Sequence, residues 1–497
     1  MILSEIIQKI DVLEIIGKTN IPISKVAYNS KSVKEDSLFV AIKGNTVDGH
    51  SFIENAILAG AKAIVCESLP KALSNEITYI RTSDSRKTLA QISNIWYDFP
   101  SKELKIIGVT GTNGKTTVTF LIKGILSKFG KKVGIIGTTG IYVDDEKIPA
   151  THTTPESLEL FELLSYFKKK KVEYVVMEVS SHSLVQSRVE CINFQGAVFT
   201  NLTHDHLDYH KTMENYALAK QRLFNSLEEN SFAIINGDDN YKNLIIQNCK
   251  SKNIIEFGRN HNPNFKIVDE SISLQSNKFK ILLNNKLPNV LDINSNLIGK
   301  FNIDNLVCAI ISCYQLGFNL NNIIEYAQNL QAAPGRMEKI PLPNSSIGIV
   351  DYAHTPDALL KALNSISEIK KETNQDSKLI TVFGCGGDRD KAKRPIMGKI
   401  AAELSDIVIV TSDNPRTESP EIIIDEIING IPLLHKNKVI AVTDRAQAIK
   451  EAYKISKEND ILLVAGKGHE EVQIIGNQKI HFSDKEELQN LGKNMLN

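Results

Sequence analysis

The segment Gly111-Thr112-Asn113-Gly114-Lys115-Thr116-Thr117 constrains this chain more than any other. It follows the apolar run Ile106 to Val109 and precedes a helical pattern from Lys115 to Phe129. A strand, a glycine-rich turn and a helix in that order set backbone N–H groups and a helix N-terminus around phosphate oxygens. Lys115 is then the candidate for the β- and γ-phosphates of ATP and Thr116 for Mg²⁺, with Gly111, Thr112, Asn113, Gly114 and Thr117 completing the cradle. The general GxxxxGK[ST] spacing asks for glycine at Val109, whereas the glycine stands at Gly108. The plain alternative is a glycine-rich turn with a surface lysine; the strand-loop-helix setting favours the nucleotide.

The rest of the chain repeats the alternation. Short apolar runs at Lys132 to Ile136, Val172 to Val179, Gly196 to Thr200 and Phe232 to Ile235 predict a doubly wound, mostly parallel α/β sheet over residues 103–334. Further runs at Ile347 to Val350, Lys378 to Phe383, Ile407 to Thr411, Val439 to Ala441 and Ile461 to Ala465 predict a Rossmann-like α/β domain over 335–497. Residues 1–102, with strands at Leu38 to Ile42 and Ala63 to Cys66 and a helix at Phe52 to Ala61, read as a smaller α/β domain. Three domains also suit 497 residues, since about 150 residues per domain is usual.

Charge and cysteine usage narrow the function classes. With 58 basic and 58 acidic residues there is no global field to hold nucleic acid or an anionic membrane, so phosphate recognition must be local. Six cysteines without a CxxC pair encode neither a disulfide framework nor a thiolate zinc site. No run reaches the roughly 18 apolar residues of a membrane span, and Glu5 and Asp11 interrupt the apolar N-terminal stretch. The expectation is a cytoplasmic monomer acting on small molecules.

Bringing a carboxylate against a γ-phosphate requires divalent metal between two anions. Glu178 ends the apolar run Tyr174 to Met177, at the sheet edge where ligands are usually presented. His204, His206 and His210 cluster, and taken alone they could also form a zinc site, although no cysteine or HExxH accompanies them. Lys220, taken alone, reads as a surface helix lysine.

Several segments carry a resemblance. GTNGKTT, Thr153-Thr154-Pro155-Glu156, Met177-Glu178-Val179-Ser180-Ser181-His182, Thr200 to His210, Gly335-Arg336-Met337-Glu338 and Asp351-Tyr352-Ala353-His354-Thr355-Pro356 resemble, in order and over essentially the whole chain, the Mur ligase family. These are ATP-dependent amide ligases that build the peptide of bacterial cell-wall precursors. The resemblance implies Lys115, Glu178, His206 and Lys220 as catalytic residues. Thr116, Glu178, His206 and an N6-carboxylated Lys220 are implied as Mg²⁺ ligands, with His204 and His210 supporting the loop. Asn302, Asn305, Arg336 and Asp351 are implied as further ATP contacts, so that two domains grip the nucleotide and the third must swing onto the second.

The resemblance also implies the other substrates. Tyr28, Ser30, Asn45, Thr46, Val47, His152, Thr153, Thr154, Ser180, Gln186 and Arg188 would hold a UDP-N-acetylmuramoyl dipeptide. Asn29 and Lys31 depart from the family's Asp-Ser-Arg, and His152 stands where relatives carry Asn. Asp413-Asn414-Pro415-Arg416 is similar to the form that takes meso-diaminopimelate, with Arg389, Gly466 and Glu470 completing the pocket. Arg416 suits the far carboxylate of that amino acid because a guanidinium pairs it in a planar fork, and Glu470 could hold the far ammonium. Taken alone, Asp-Asn-Pro-Arg is an Asx-Pro turn. The expected reaction is ATP-driven amide formation through an acyl phosphate. Its rivals are a lysine-adding member of the family, a folylpolyglutamate synthase, which would lack the N-terminal block, and a nucleotide-switched binding module.

Overall fold

The computed structural model describes residues 1–44, 47–148, 152–284, 290–373 and 376–491. Two compact units result: Met1–Phe265 with Ile311–Phe318, and Lys266–Ile310 with Asn319–Asn497.

The first unit contains two sheets. In the smaller, the order is Glu14–Ile16, Thr78–Arg81, Ala61–Cys66, Ser37–Val40, Lys25–Ala27. All neighbours are parallel except Glu14–Ile16, which runs antiparallel to Thr78–Arg81. Successive side chains alternate between two cores: Ala63 and Val65 pack with Leu89, Ile92 and Ile95 of the helix Ser85–Trp96, while Ile64 and Cys66 pack with Ile53 and Ala56. The expected helix at Phe52 to Ala61 is shorter, a 3₁₀ turn Gly49–Phe52 followed by Ile53–Leu58. Gly60, at φ 106°, takes the chain out in the left-handed region.

The larger sheet has parallel strands in the order Asn253–Gly258, Phe232–Asn236, Phe194–Phe199, Lys105–Thr110, Tyr174–Glu178, Val133–Gly137, with antiparallel Gly140–Val143 and Glu146–Ile148 beyond. The chain winds from Lys105–Thr110 toward one edge and later crosses to the other at Phe194–Phe199. The reversal opens a crevice at the carboxyl ends of those two strands, where the turn after Thr110 lies.

In the second unit Asn277–Leu283 and Val290–Ser295 pair antiparallel, with Phe265–Ile272 beside them in the strand order. The sequence reading did not anticipate these strands. The six-stranded sheet runs Glu338–Pro341, Ile347–Asp351, Ile461–Ala465, Leu379–Phe383, Ile407–Val410, Val439–Ala441, parallel except for the first pair. Both faces are covered, which is why its strands read as unbroken apolar runs. Leu359, Leu363, Met397 and Ile423 pack on one face, Ile449, Tyr453 and Leu488 on the other. Two fully buried guanidiniums are paired within this unit. Arg445 meets Asp484 through Nε at 2.7 Å and Nη2 at 2.8 Å, and Arg394 meets Glu418 at 3.0 Å and Glu426 at 2.6 Å.

Candidate functional site

The Gly111 turn is built for close approach. Gly111 adopts φ 151°, and a Cβ there would stand 1.9 Å from Thr200 Oγ1. Asn201 clamps the turn, its backbone O accepting from Thr112 N at 2.8 Å and its Oδ1 from Asn113 N at 3.0 Å. Gly114, at φ 87°, starts the helix Lys115–Lys128 with no side-chain cap, so first-turn N–H groups of Lys115, Thr116 and Thr117 are positioned for an anion. Lys115 Nζ curls over the turn and donates to Gly111 O and Thr112 O, each at 2.8 Å.

Buried Glu178 ends its strand beside this turn. Its Oε1 accepts from Thr116 Oγ1 and from Thr138 N, both at 2.9 Å, and its Oε2 accepts from Thr138 Oγ1 at 3.1 Å. Gly137 makes the room: a Cβ there would lie 2.4 Å from Glu178 Oε1. A hydroxyl and a carboxylate within 2.9 Å of one another form an oxygen donor set suited to a hard divalent cation such as Mg²⁺.

Lys220 is not the surface lysine that its helix alone suggests. It is 1% exposed, donates to Gly111 O at 2.9 Å and lies 4.5 Å from the Tyr216 ring centre. Burial, reinforced by the Lys115 charge, drives its amine well below the usual lysine range. His206 begins the short helix Leu207–His210 at φ 53°, and burial lowers its imidazole, with Lys115 and Lys220 adding to the effect. His210 is structural in its contacts: Nε2 meets Ser181 Oγ at 2.8 Å, the ring stacks on Tyr216 at 4.9 Å, and burial takes it down to about 4. Among the described residues no group of three or more His, Cys, Asp or Glu side chains is placed to hold a metal ion.

Next along this sheet edge, Thr153 Oγ1 lies 3.1 Å from Thr138 Oγ1. Thr154 Oγ1 donates to Glu178 O at 2.8 Å, and Ser180 caps the helix Ser181–Val185 through Ser183 N. Arg188 donates to Thr154 O at 2.8 Å and to Gln186 Oε1 at 2.7 and 3.0 Å, and it pairs with Glu156 at 2.7 Å. His152 is exposed. In the small sheet's loops Tyr28 donates to Glu159 at 2.5 Å, Ser30 opens a 3₁₀ turn capped by Asn29, and Val47 is exposed. Asn45 and Thr46 lie outside the described residues.

The second unit carries the remaining candidates. Asn302 and Asn305 are buried in the first turns of the helix Lys300–Gln315. Asn305 Nδ2 donates to Asn302 Oδ1 at 3.0 Å, and Asn302 Nδ2 donates to Ile298 O at 2.8 Å. Arg336 lies 4.8 Å from the Tyr352 ring centre, and Asp351 accepts from Met337 N at 2.8 Å. Burial raises the Asp351 carboxyl, against the pull of Arg336.

The Asp413 to Arg416 segment leads into a turn, Glu418 N donating to Pro415 O at 3.1 Å, and its side chains assemble a pocket. Gly386 is flanked by both arginines: a Cβ there would be 2.9 Å from Arg416 Nη1 and 3.9 Å from Arg389 Cγ. Gly387 is packed as tightly, its Cβ position 1.9 Å from Pro415 O. Arg416, at φ 52°, donates from Nη1 to Gly387 O at 2.7 Å. Asn414 Nδ2 donates to Glu470 Oε2 at 3.0 Å, and Gly466 at φ 118° passes close to Asp413. Sequence reasoning missed two residues that organise these sites, Glu156 and Lys467. Glu156 ends the Thr153 to Glu156 segment and Lys467 follows Gly466, and neither pairing is visible without the fold.

Three family models match the chain: "Mur ligase family, catalytic domain" over residues 22–97, "Mur ligase middle domain" over 109–313 and "Mur ligase, glutamate ligase domain" over 335–468. A Clostridium botulinum protein named UDP-N-acetylmuramoyl-L-alanyl-D-glutamate--2,6-diaminopimelate ligase is 45% identical over 476 residues, 95% of each chain. A solved structure with the same name superposes with a TM-score of 0.72 at 33% identity, covering 100% of this chain and 99% of the other. Mycobacterium tuberculosis folylpolyglutamate synthase complexed with ADP shares the fold at a TM-score of 0.60 and 17% identity, covering 77% of this chain and 92% of its own.

Proposed function

The chain belongs to the Mur ligase family, and from that premise we propose that it joins meso-2,6-diaminopimelate to the D-glutamyl γ-carboxylate of UDP-N-acetylmuramoyl-L-alanyl-D-glutamate, converting ATP to ADP and phosphate. The carboxylate takes the γ-phosphoryl group to become an acyl phosphate. The incoming amine attacks its carbonyl, and phosphate leaves.

Lys115 and the first-turn amides hold the phosphates, a role of position and charge. Thr116 and Glu178 would hold Mg²⁺, with His206 and carboxylated Lys220 as further ligands; the bound ion supplies charge neutralisation between the carboxylate and the phosphate. A lysine reacts with carbon dioxide through its neutral amine, the form that burial favours at Lys220. Asn302, Asn305, Arg336 and Asp351 serve as nucleotide contacts of the second unit. Tyr28, Ser30, Asn45, Thr46, Val47, His152, Thr153, Thr154, Ser180, Gln186 and Arg188 receive the UDP-precursor. Arg389, Asp413 to Arg416, Gly466 and Glu470 receive diaminopimelate. We assign three domains, 1–102, 103–334 and 335–497, to a cytoplasmic monomer; no described helix is long and apolar enough to cross a membrane.

One observation favours diaminopimelate over lysine: Arg416 and Glu470 are joined through Asn414, so a guanidinium and a carboxylate serve one pocket. Such a pair suits a carboxylate and an ammonium on one carbon. The test is phosphate release from ATP with the UDP-dipeptide precursor and meso-diaminopimelate, L-lysine or no amino acid. Release with diaminopimelate alone is expected. Release with lysine would overturn the amino-acid assignment, and release that needs no amino acid would overturn the ligase.

A further inference from the structure

Lys467 is fully buried in the proposed amino-acid pocket, and all three of its ammonium protons have acceptors. Nζ donates to Val472 O at 2.6 Å, Asn414 Oδ1 at 3.1 Å and Glu470 Oε2 at 3.3 Å, and it faces Asp413 Oδ1 at 3.6 Å. An ammonium can only donate, so the Asn414 amide must turn its oxygen toward it. Ile474 N donates to the same oxygen at 2.9 Å. The other end of that amide is thereby forced toward Glu470 Oε2, at 3.0 Å. One Glu470 oxygen is thus held by two donors, which fixes its position.

The third bond reaches the other half of the pocket. Val472 opens the strand Val472–Ile475, and this strand holds Arg416: Arg416 N donates to Ile474 O at 3.1 Å, and Gly476 N donates to Arg416 O at 2.7 Å. One buried cation therefore ties the carboxylate to the backbone that carries the guanidinium.

We propose that Lys467 is a positioning residue that sets Glu470 and Arg416 at a fixed separation for an amino acid bearing both an ammonium and a carboxylate at its far end. It acts through Asn414, Glu470 and the 472–475 strand and does not touch the substrate. The inference rests on the reading of this pocket as the diaminopimelate site.

The experiment uses the full chain with Lys467→Met, which keeps the length and removes the donors. The KM for meso-diaminopimelate should rise about thirtyfold, as loss of hydrogen bonds to charged groups implies. The KM values for ATP and the UDP-precursor should stay within about twofold, because their contacts do not pass through Nζ. Adding Glu470→Gln should cost less than the product of the two single effects, since both act on one carboxylate. An unchanged diaminopimelate KM, or a rise shared equally by all three substrates, would overturn the proposal. Should the methionine variant not fold, Lys467→Gln, which retains an amide donor, should fold and show a smaller rise of the same selectivity. Failure of both to fold would make Lys467 a core residue and end the positioning role. Wild-type protein inert toward diaminopimelate would instead remove the pocket reading itself.

Discussion

The phosphate turn and the second unit treat buried charge in opposite ways. Around the turn, Lys220 is buried against a carbonyl and an aromatic ring, and Glu178 against hydroxyls and an amide. In the second unit Arg394, Arg445 and Lys467 are each buried against carboxylates. An ion that is buried with its partner is part of a scaffold, and for Arg445 and Asp484, both fully buried, removing one member costs about 3–5 kcal/mol. The Lys220 amine, buried without such a partner, is held well below the usual lysine range. The contrast separates groups that take part in the proposed chemistry from groups that hold the walls.

The largest test of the contrast is Lys115→Ala. Phosphate release should fall about 10³-fold, as expected for a preorganised charge facing the transferring group, while the melting temperature stays nearly unchanged. A collapse in stability with activity per folded molecule intact would place Lys115 among the scaffold charges. Next comes Lys220→Ala, expected to lower kcat about 10²-fold in the manner of a metal-site ligand, with partial recovery on adding short carboxylates. Full activity without addition would make Lys220 an ordinary buried lysine. Arg416→Ala should raise the KM for meso-diaminopimelate about tenfold to a hundredfold, the range for lost charged hydrogen bonds, and leave the KM for ATP alone. Equal losses in both would break the assignment of the pocket.

The smallest expected effect concerns Glu159, half-buried in the first unit, where burial and the charges of Glu156 and Glu162 raise its carboxyl although Tyr28 donates to it. The native state then binds the proton more tightly than the unfolded chain, so this residue favours folding at low pH. That contribution is lost as pH rises from the unfolded value through the raised native one. Glu159→Gln should therefore melt about 2–4 °C higher than wild type at neutral pH, with the gap closing in acid. A constant gap across pH would show that the carboxylate's ionisation is not its source.

Much of this was legible from the chain. The parallel strands announced themselves because both their faces are covered, which leaves unbroken apolar runs such as Ile461 to Ala465. The strands Asn277–Leu283 and Val290–Ser295 escaped because only alternate residues are buried there, a weaker signal set among polar residues. At the site, Lys115, Thr116 and Glu178 could be named from local order, since turn, helix start and strand end are local facts. Lys220 lies on the buried face of its helix with Tyr216, Ala217, Leu223 and Phe224, but its contact could not be named, because the turn it reaches lies 109 residues earlier. Lys467 and Glu156 were hidden for the same reason: their partners Asn414 and Arg188 come from other segments.

The pairing of Arg445 with Asp484 also bears on how the molecule is made. Asp484 follows Arg445 by 39 residues and starts the helix Asp484–Asn490. On the ribosome the guanidinium emerges first and must keep its water until its counter-ion follows, because burying it alone carries the penalty of an unpaired ion. Synthesis order therefore delays commitment of the six-stranded sheet until the helix Asp484–Asn490 follows. A chain released early, ending ahead of Asp484, should be read by the cell's proteases as unfinished.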